Sequence, residues 1–121
     1  MNNNLQKPKF RVEFLEDAAE FLELLDEKVR DKIIYNITKA RYSNDKELLK
    51  KLNDEIWEFR TLYKHIQYRL FAFWDKRVGT ETLVISTHGI IKKSEKTPQS
   101  DLDKAARLRK LYFTLNVPKN E

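Results

Sequence analysis

The chain has 121 residues, 40% apolar and 36% charged, with no Cys and only two Gly. That length and balance suit one ordered domain, residues 1–121 with a core over about 10–115, and exclude a disulfide framework and a thiolate zinc site. A net charge of +5 and a pI near 9.4 favour polyanionic partners. No apolar run reaches the roughly 20 residues that span a bilayer and Met1-Asn2-Asn3-Asn4 does not open a signal peptide, so a cytoplasmic protein with no membrane partner is expected.

Lys9 to Phe14 alternates polar and apolar residues, which puts Phe10, Val12 and Phe14 on one face of a short strand. Asp17 is placed to cap a first amphipathic helix with Ala18, Phe21, Leu22 and Leu25 inward. Asp26 either caps a second helix or marks a kink in one long helix, whose apolar stripe is Val29, Ile33, Ile34, Ile37 and Ala40. Tyr42 to Asp45 reads as a break, and Lys46 to Lys51 as a short helical turn carrying Leu49 and Leu52 inward.

From Ile56 the character changes to strand formers. Ile56 to Leu62 has Trp57 and Phe59 on one face and Glu58 and Arg60 on the other; Tyr63-Lys64-His65 is a turn; Ile66 to Trp74 is a second strand carrying Arg69. Asp75 to Thr80 is a hairpin loop in which Gly79 supplies positive φ. Thr82 to His88 is a third strand, followed after Ile91 by a basic loop, Lys92 to Lys96. Thr97 caps a last helix with Pro98 in its first turn and Leu102, Ala105, Ala106, Leu108 and Leu111 buried. The sum is an α+β fold, a mainly antiparallel sheet with two N-terminal helices and a C-terminal helix packed against one face. The open face then carries the polar set.

Within that set, Arg60 and Arg69 lie on otherwise apolar strands and offer the planar donor fork that fits phosphate oxygens. Glu58 either ties the strands together as an ion-pair partner or positions an arginine that also meets substrate. His88, ahead of Gly89, exchanges a proton near neutral pH with little tuning; His65, in a turn, is the weaker of the two histidines. Lys92, Lys93 and Lys96 precede a helix N-terminus, a favourable anion environment. Residues 92–110, with Arg107 and Arg109 among them, carry seven basic residues against three acids, and such contacts give affinity for phosphate without base specificity. No Walker loop, dinucleotide glycine motif, zinc helix or nucleophile elbow occurs.

Taken in order, Trp57-Glu58-Phe59-Arg60, Tyr68-Arg69-Leu70-Phe71-Ala72-Phe73 and His88-Gly89-Ile90-Ile91-Lys92-Lys93 with Lys96-Thr97-Pro98 resemble the RelE/ParE toxin superfamily, in particular its HigB-like, phage-derived branch, over about residues 10–115. The resemblance implies the toxin of a type II toxin–antitoxin pair, an endoribonuclease that cuts mRNA in the ribosomal A site without metal or other cofactor. The 2′-hydroxyl attacks the neighbouring phosphate and leaves a 2′,3′-cyclic phosphate or its hydrolysis product. By the same resemblance Arg60 and Arg69 hold the scissile phosphate, His88 exchanges a proton, and Lys92 and Lys93 stabilise charge or share the acid–base work. Glu58, Lys96, Arg107 and Arg109 are assigned to substrate and RNA binding, with the basic surface of Lys96, Arg107 and Arg109 facing ribosomal RNA. Tyr112 is the candidate for a C-terminal tyrosine used by some relatives. The implied partners are the ribosome, mRNA and a cognate helix-turn-helix antitoxin in a hetero-oligomer.

Two alternatives belong to other classes. One is a ParE-like inhibitor of gyrase that acts by binding alone, and the other an inactive relative that only binds a partner. The gyrase inhibitor does not need a phosphate-directed Arg/His/Lys cluster.

Overall fold

The computed structural model describes residues 7–77 and 82–116. Its elements are β1 (Arg11–Phe14), α1 (Glu16–Glu23), α2 (Glu27–Ala40), β2 (Leu49–Lys51), β3 (Trp57–Tyr63), β4 (Ile66–Asp75), β5 (Leu83–Lys92) and α3 (Gln99–Leu115). The strands form one sheet in the order β1-β5-β4-β3-β2, with β1 parallel to β5 and every other pairing antiparallel. This is the expected α+β architecture. No helix among the described residues is long and apolar enough to cross a membrane.

Local chemistry sets the turns. Asp26 caps α2, its carboxylate accepting from the Lys28 N–H at 3.1 Å, so α1 and α2 are two helices rather than one kinked rod. Arg30 then donates to the Leu22 and Leu25 carbonyls at 3.3 and 3.1 Å, tying α2 to the end of α1. Between β3 and β4, Tyr63 pairs with Ile66, and the two central residues take positive φ, 50° at Lys64 and 70° at His65. That is the mirror-image turn whose twist matches a tight hairpin.

The helices divide between the two faces, contrary to the expectation of a single covered face. On one side α1 and α2 pack Ala18, Leu22, Val29, Ile33 and Ile37 onto Phe10, Phe59, Tyr68, Leu70, Ala72 and Val84. On the other, α3 packs Leu102 and Ala105 against Ile56, Phe71 and Ile90, and Tyr112 and Phe113 against Phe73, Leu83 and Ile85. The physical reason is alternation: β4 and β5 are buried on both sides, with Leu70 and Ala72 facing α1/α2 while Phe71 and Phe73 face α3.

Five further expectations are corrected. α1 begins at Glu16 with Leu15 at the cap position, and Asp17 instead pairs with Lys104 of α3 at 3.1 Å. Leu49–Lys51 is a strand on the edge of the sheet, not a helical turn, because its backbone pairs with Trp57 to Phe59. The third long strand continues past His88 to Lys92, held by β4 along its whole length. α3 starts at Gln99, with Pro98 at the cap position and no side-chain cap, so Thr97 does not cap it. Ile34 and Leu111, assigned inward, are 39% and 51% exposed. Gly79 lies outside the described residues.

Candidate functional site

α3 covers only part of its face of the sheet. Beyond its reach, towards the β3–β4 turn, the register sets Arg60 opposite Arg69, Glu58 opposite Phe71, Lys50 opposite Glu58 and Gln67 opposite Lys92. Period-two alternation therefore delivers Glu58, Arg60, Gln67, Arg69 and Lys92 to one side. Glu58 and Arg69 are 2% and 3% exposed. The Arg69 Nε lies 3.4 Å from one Glu58 oxygen and the Arg60 Nε 3.6 Å from the other, with a more distant approach of 3.9 Å from Arg60 to Glu47. Arg69 also donates to the Gln67 side-chain oxygen and, at 3.1 Å, to the Tyr68 carbonyl. Arg60 and Arg69, with Glu47 and Gln67, line a cleft of about 150 Å³.

The electrostatics of this group are unbalanced. One buried carboxylate faces two guanidiniums and the Lys92 ammonium. Glu58 Oε1, Arg60 Nε and Arg69 Nε are all buried and without a hydrogen-bond partner among the described residues. Burial pushes Arg69 below its ordinary range; Glu58 opposes this and Arg60 adds to it. Lys92 is likewise pushed down, first by burial and then by Arg69, Arg60 and Lys50, with Glu58 pulling it back. An anion in the cleft that Arg60 and Arg69 line would offset the charge excess.

His88 occupies a different environment. A register shift between Phe71 and Ala72 sets Ser86 opposite Ala72 and His88 opposite Phe71, so Thr87 has no counterpart on β4. This bulge turns His88 to the α3 side. There it is 3% exposed, stacked on Phe71 at 4.8 Å, with Nε2 3.1 Å from Asp101 and Nδ1 3.0 Å from the Thr87 hydroxyl. Burial pushes it below its ordinary range, outweighing the Asp101 carboxylate, and Lys104 adds to the lowering. A neutral ring fits these contacts, with Nε2–H donated to Asp101 and Nδ1 accepting from Thr87. His88 is thus packed under α3 and is not among the groups around Glu58.

The remaining candidates are dispersed. Lys92, Lys93 and Lys96 line a cleft of about 270 Å³ with Ile90, Pro98 and Asp101, so Lys92 joins it to the arginine group. Arg107 is exposed on α3. Arg109 pairs with Glu55 at 3.3 Å and lies over the Phe113 ring at 5.1 Å. Tyr112 donates at 2.7 Å to Asp75, which Arg77 also grips at 2.8 and 2.9 Å. Asp75 is six residues along β4 from Arg69, about 20 Å away, so Tyr112 does not join the arginines. The sequence reading missed Gln67, which alternates onto the face of Arg69, and Asp101, in the first turn of α3. Gln67 could have been found by its spacing; Asp101 depends on how α3 docks.

No curated protein matches the chain. The family described as Phage derived protein Gp49-like (DUF891) matches residues 20–110, a span that runs from α1 into α3 and takes in Glu58, Arg60, Gln67, Arg69, His88 and Lys92. The chain belongs to this phage-derived Gp49-like family, a family associated with the toxins of toxin–antitoxin systems.

Proposed function

We propose that the protein is the toxin of a type II toxin–antitoxin pair, of the RelE/ParE kind and HigB-like, that cuts mRNA on the ribosome by metal-free attack of the 2′-hydroxyl on the adjacent phosphate. The observation that carries this reading is the group of Arg60, Arg69 and Lys92 around a single buried carboxylate, with all three cations lining clefts.

The arginines hold the non-bridging oxygens of the scissile phosphate and stabilise the charge that grows on them as the phosphorane forms. Glu58 holds both guanidiniums in place from beneath. Lys92, with its depressed affinity for protons, takes the proton from the 2′-hydroxyl as the 2′-oxygen bonds to phosphorus. The bond from phosphorus to the 5′-oxygen breaks, and Lys93 on the exposed rim returns a proton to that oxygen. The products are a 2′,3′-cyclic phosphate and a 5′-hydroxyl. His88 is a positioning residue in this scheme, holding α3 to β5 through Asp101. An acidic antitoxin segment laid over the cations would block the site, and its affinity would fall as salt rises.

Primer extension on a reporter mRNA in a reconstituted translation system tests this. Cuts that require both ribosomes and this protein are expected; intact mRNA in the presence of folded protein would contradict the nuclease reading. The second reading, a gyrase inhibitor or a binding-only relative, draws on the removal of His88 from the arginine group. It predicts intact mRNA, with altered DNA supercoiling only in the gyrase case.

A further inference from the structure

On the α1/α2 side of the sheet, away from the arginine group, two clefts meet at Lys9 and Phe10. The first, about 270 Å³, is lined by Phe10, Leu49, Trp57 and Trp74, with Lys9, Lys46 and the Ser43 to Asp45 loop at its margin. The second, about 350 Å³, is lined by Lys7, Lys9, Arg11 and Thr82 with Phe10. One is aromatic and the other basic.

The aromatic cleft has an edge-to-face arrangement, Trp74 at 5.2 Å from Phe10 and 5.7 Å from Trp57, with the Lys76 ammonium 5.3 Å over the Trp74 ring. Both tryptophans are only half-buried, so ring surface is left for a ligand. The Trp74 indole N–H is covered and has no acceptor among the described residues, although a buried indole N–H normally finds one. Asp45, the one acid at the margin, accepts from the Glu47 N–H at 2.8 Å and is turned to its own loop. Aromatic faces and flanking cations are what a planar base with an attached phosphate would meet.

We propose that the joined clefts bind one nucleotide of single-stranded RNA, its base against Trp57 and Trp74 and its phosphate towards Lys7 and Lys9. Both clefts are troughs at the end of the sheet where β1, β3 and β5 begin and β4 ends, which suits one unit of a passing strand. This site is independent of the chemistry at Arg60 and Arg69.

The chain contains two Trp, and both line this cleft, so fluorescence excited selectively at tryptophan, apart from the five Tyr, reports on it. The test is a titration of the full chain with a short 2′-O-methyl oligouridylate, which has no free 2′-hydroxyl and cannot be cut. Saturable quenching is expected, weakened at least fivefold in the Lys9→Glu, Lys46→Glu double variant and unchanged in Arg60→Ala. Lys9 and Lys46 are exposed, and thermal melting confirms that the double variant is folded. Three results would overturn the proposal: no saturable quenching, quenching removed by Arg60→Ala, or uridine monophosphate quenching as tightly as the oligomer, which would assign the cleft to free nucleotides. Failure here leaves mRNA cutting untouched, and failure of cutting leaves this binding untouched.

Discussion

Glu58 is the residue on which the candidate site turns, because among the described residues it alone of the acids approaches both Arg60 and Arg69, and it does so from a buried position. Its replacement by glutamine keeps the shape and removes the charge that offsets two guanidiniums. Glu58→Gln is expected to lower stability by about 3 kcal/mol, the cost of leaving a buried partner uncompensated, in urea melts. Phosphate added to the buffer should restore part of that loss and bind the variant more tightly than the natural protein, since the carboxylate no longer repels it. Gly89 presents a simpler case. A Cβ built there would lie 2.3 Å from the Phe21 ring of α1, so Gly89→Ala should cost about 1–3 kcal/mol by overpacking, read by thermal melting. At the β3–β4 turn, Lys64 and His65 hold a left-handed backbone that glycine adopts at no steric cost. Lys64→Asn with His65→Gly should therefore raise stability by about 1 kcal/mol.

Besides its apolar packing, α3 is tied to the sheet by two titrating contacts, one at each end of the helix. Near its C-terminus, the Arg77 guanidinium and the Tyr112 hydroxyl hold the buried Asp75 carboxyl down at about 2, while burial and Asp75 push Tyr112 up to about 12. A carboxylate held below its unfolded value of about 3.9 contributes stability that is complete above that pH and is lost as pH falls through its folded value. Acid unfolding should thus steepen between about pH 4 and pH 2, and Asp75→Asn should flatten that limb while costing about 2 kcal/mol at neutral pH. Tyr112, raised above about 10, acts in the other direction and loses its contribution as pH rises from 10 to 12. His88, held neutral against Asp101, adds a further loss as pH falls below about 6.5. Urea melts across pH measure all three limbs. These contacts also show what could be read in advance. The alternation of β3 and β4 was legible because aromatic and charged residues mark opposite faces over a full strand length. The edge strand Leu49–Lys51 was not, since three residues with two lysines carry no period. Likewise the bulge opposite Phe71 and Ala72 leaves no trace in composition, yet it sets the face of His88.

At the scale of the molecule, the sheet separates three regions that the sequence presented as one stretch. The arginine group lies beyond the end of α3, the His88–Asp101 contact lies beneath α3, and the tryptophan cleft lies on the other face. Strand alternation was enough to bring Arg60 and Arg69 together, but the separation of His88 and Tyr112 from them follows from helix docking and strand phase, which depend on tertiary packing. The central claim is that the arginine group with Lys92 does the cutting while His88 supports the fold. Ribosome-dependent cleavage rates by primer extension, compared among the natural protein, Arg69→Ala, Lys92→Gln and His88→Asn at equal folded concentration, test it most directly. The account predicts at least a hundredfold loss in Arg69→Ala and Lys92→Gln, with His88→Asn lower in thermal stability and cutting at near the natural rate. A folded His88→Asn that no longer cuts, beside an active Lys92→Gln, would contradict it.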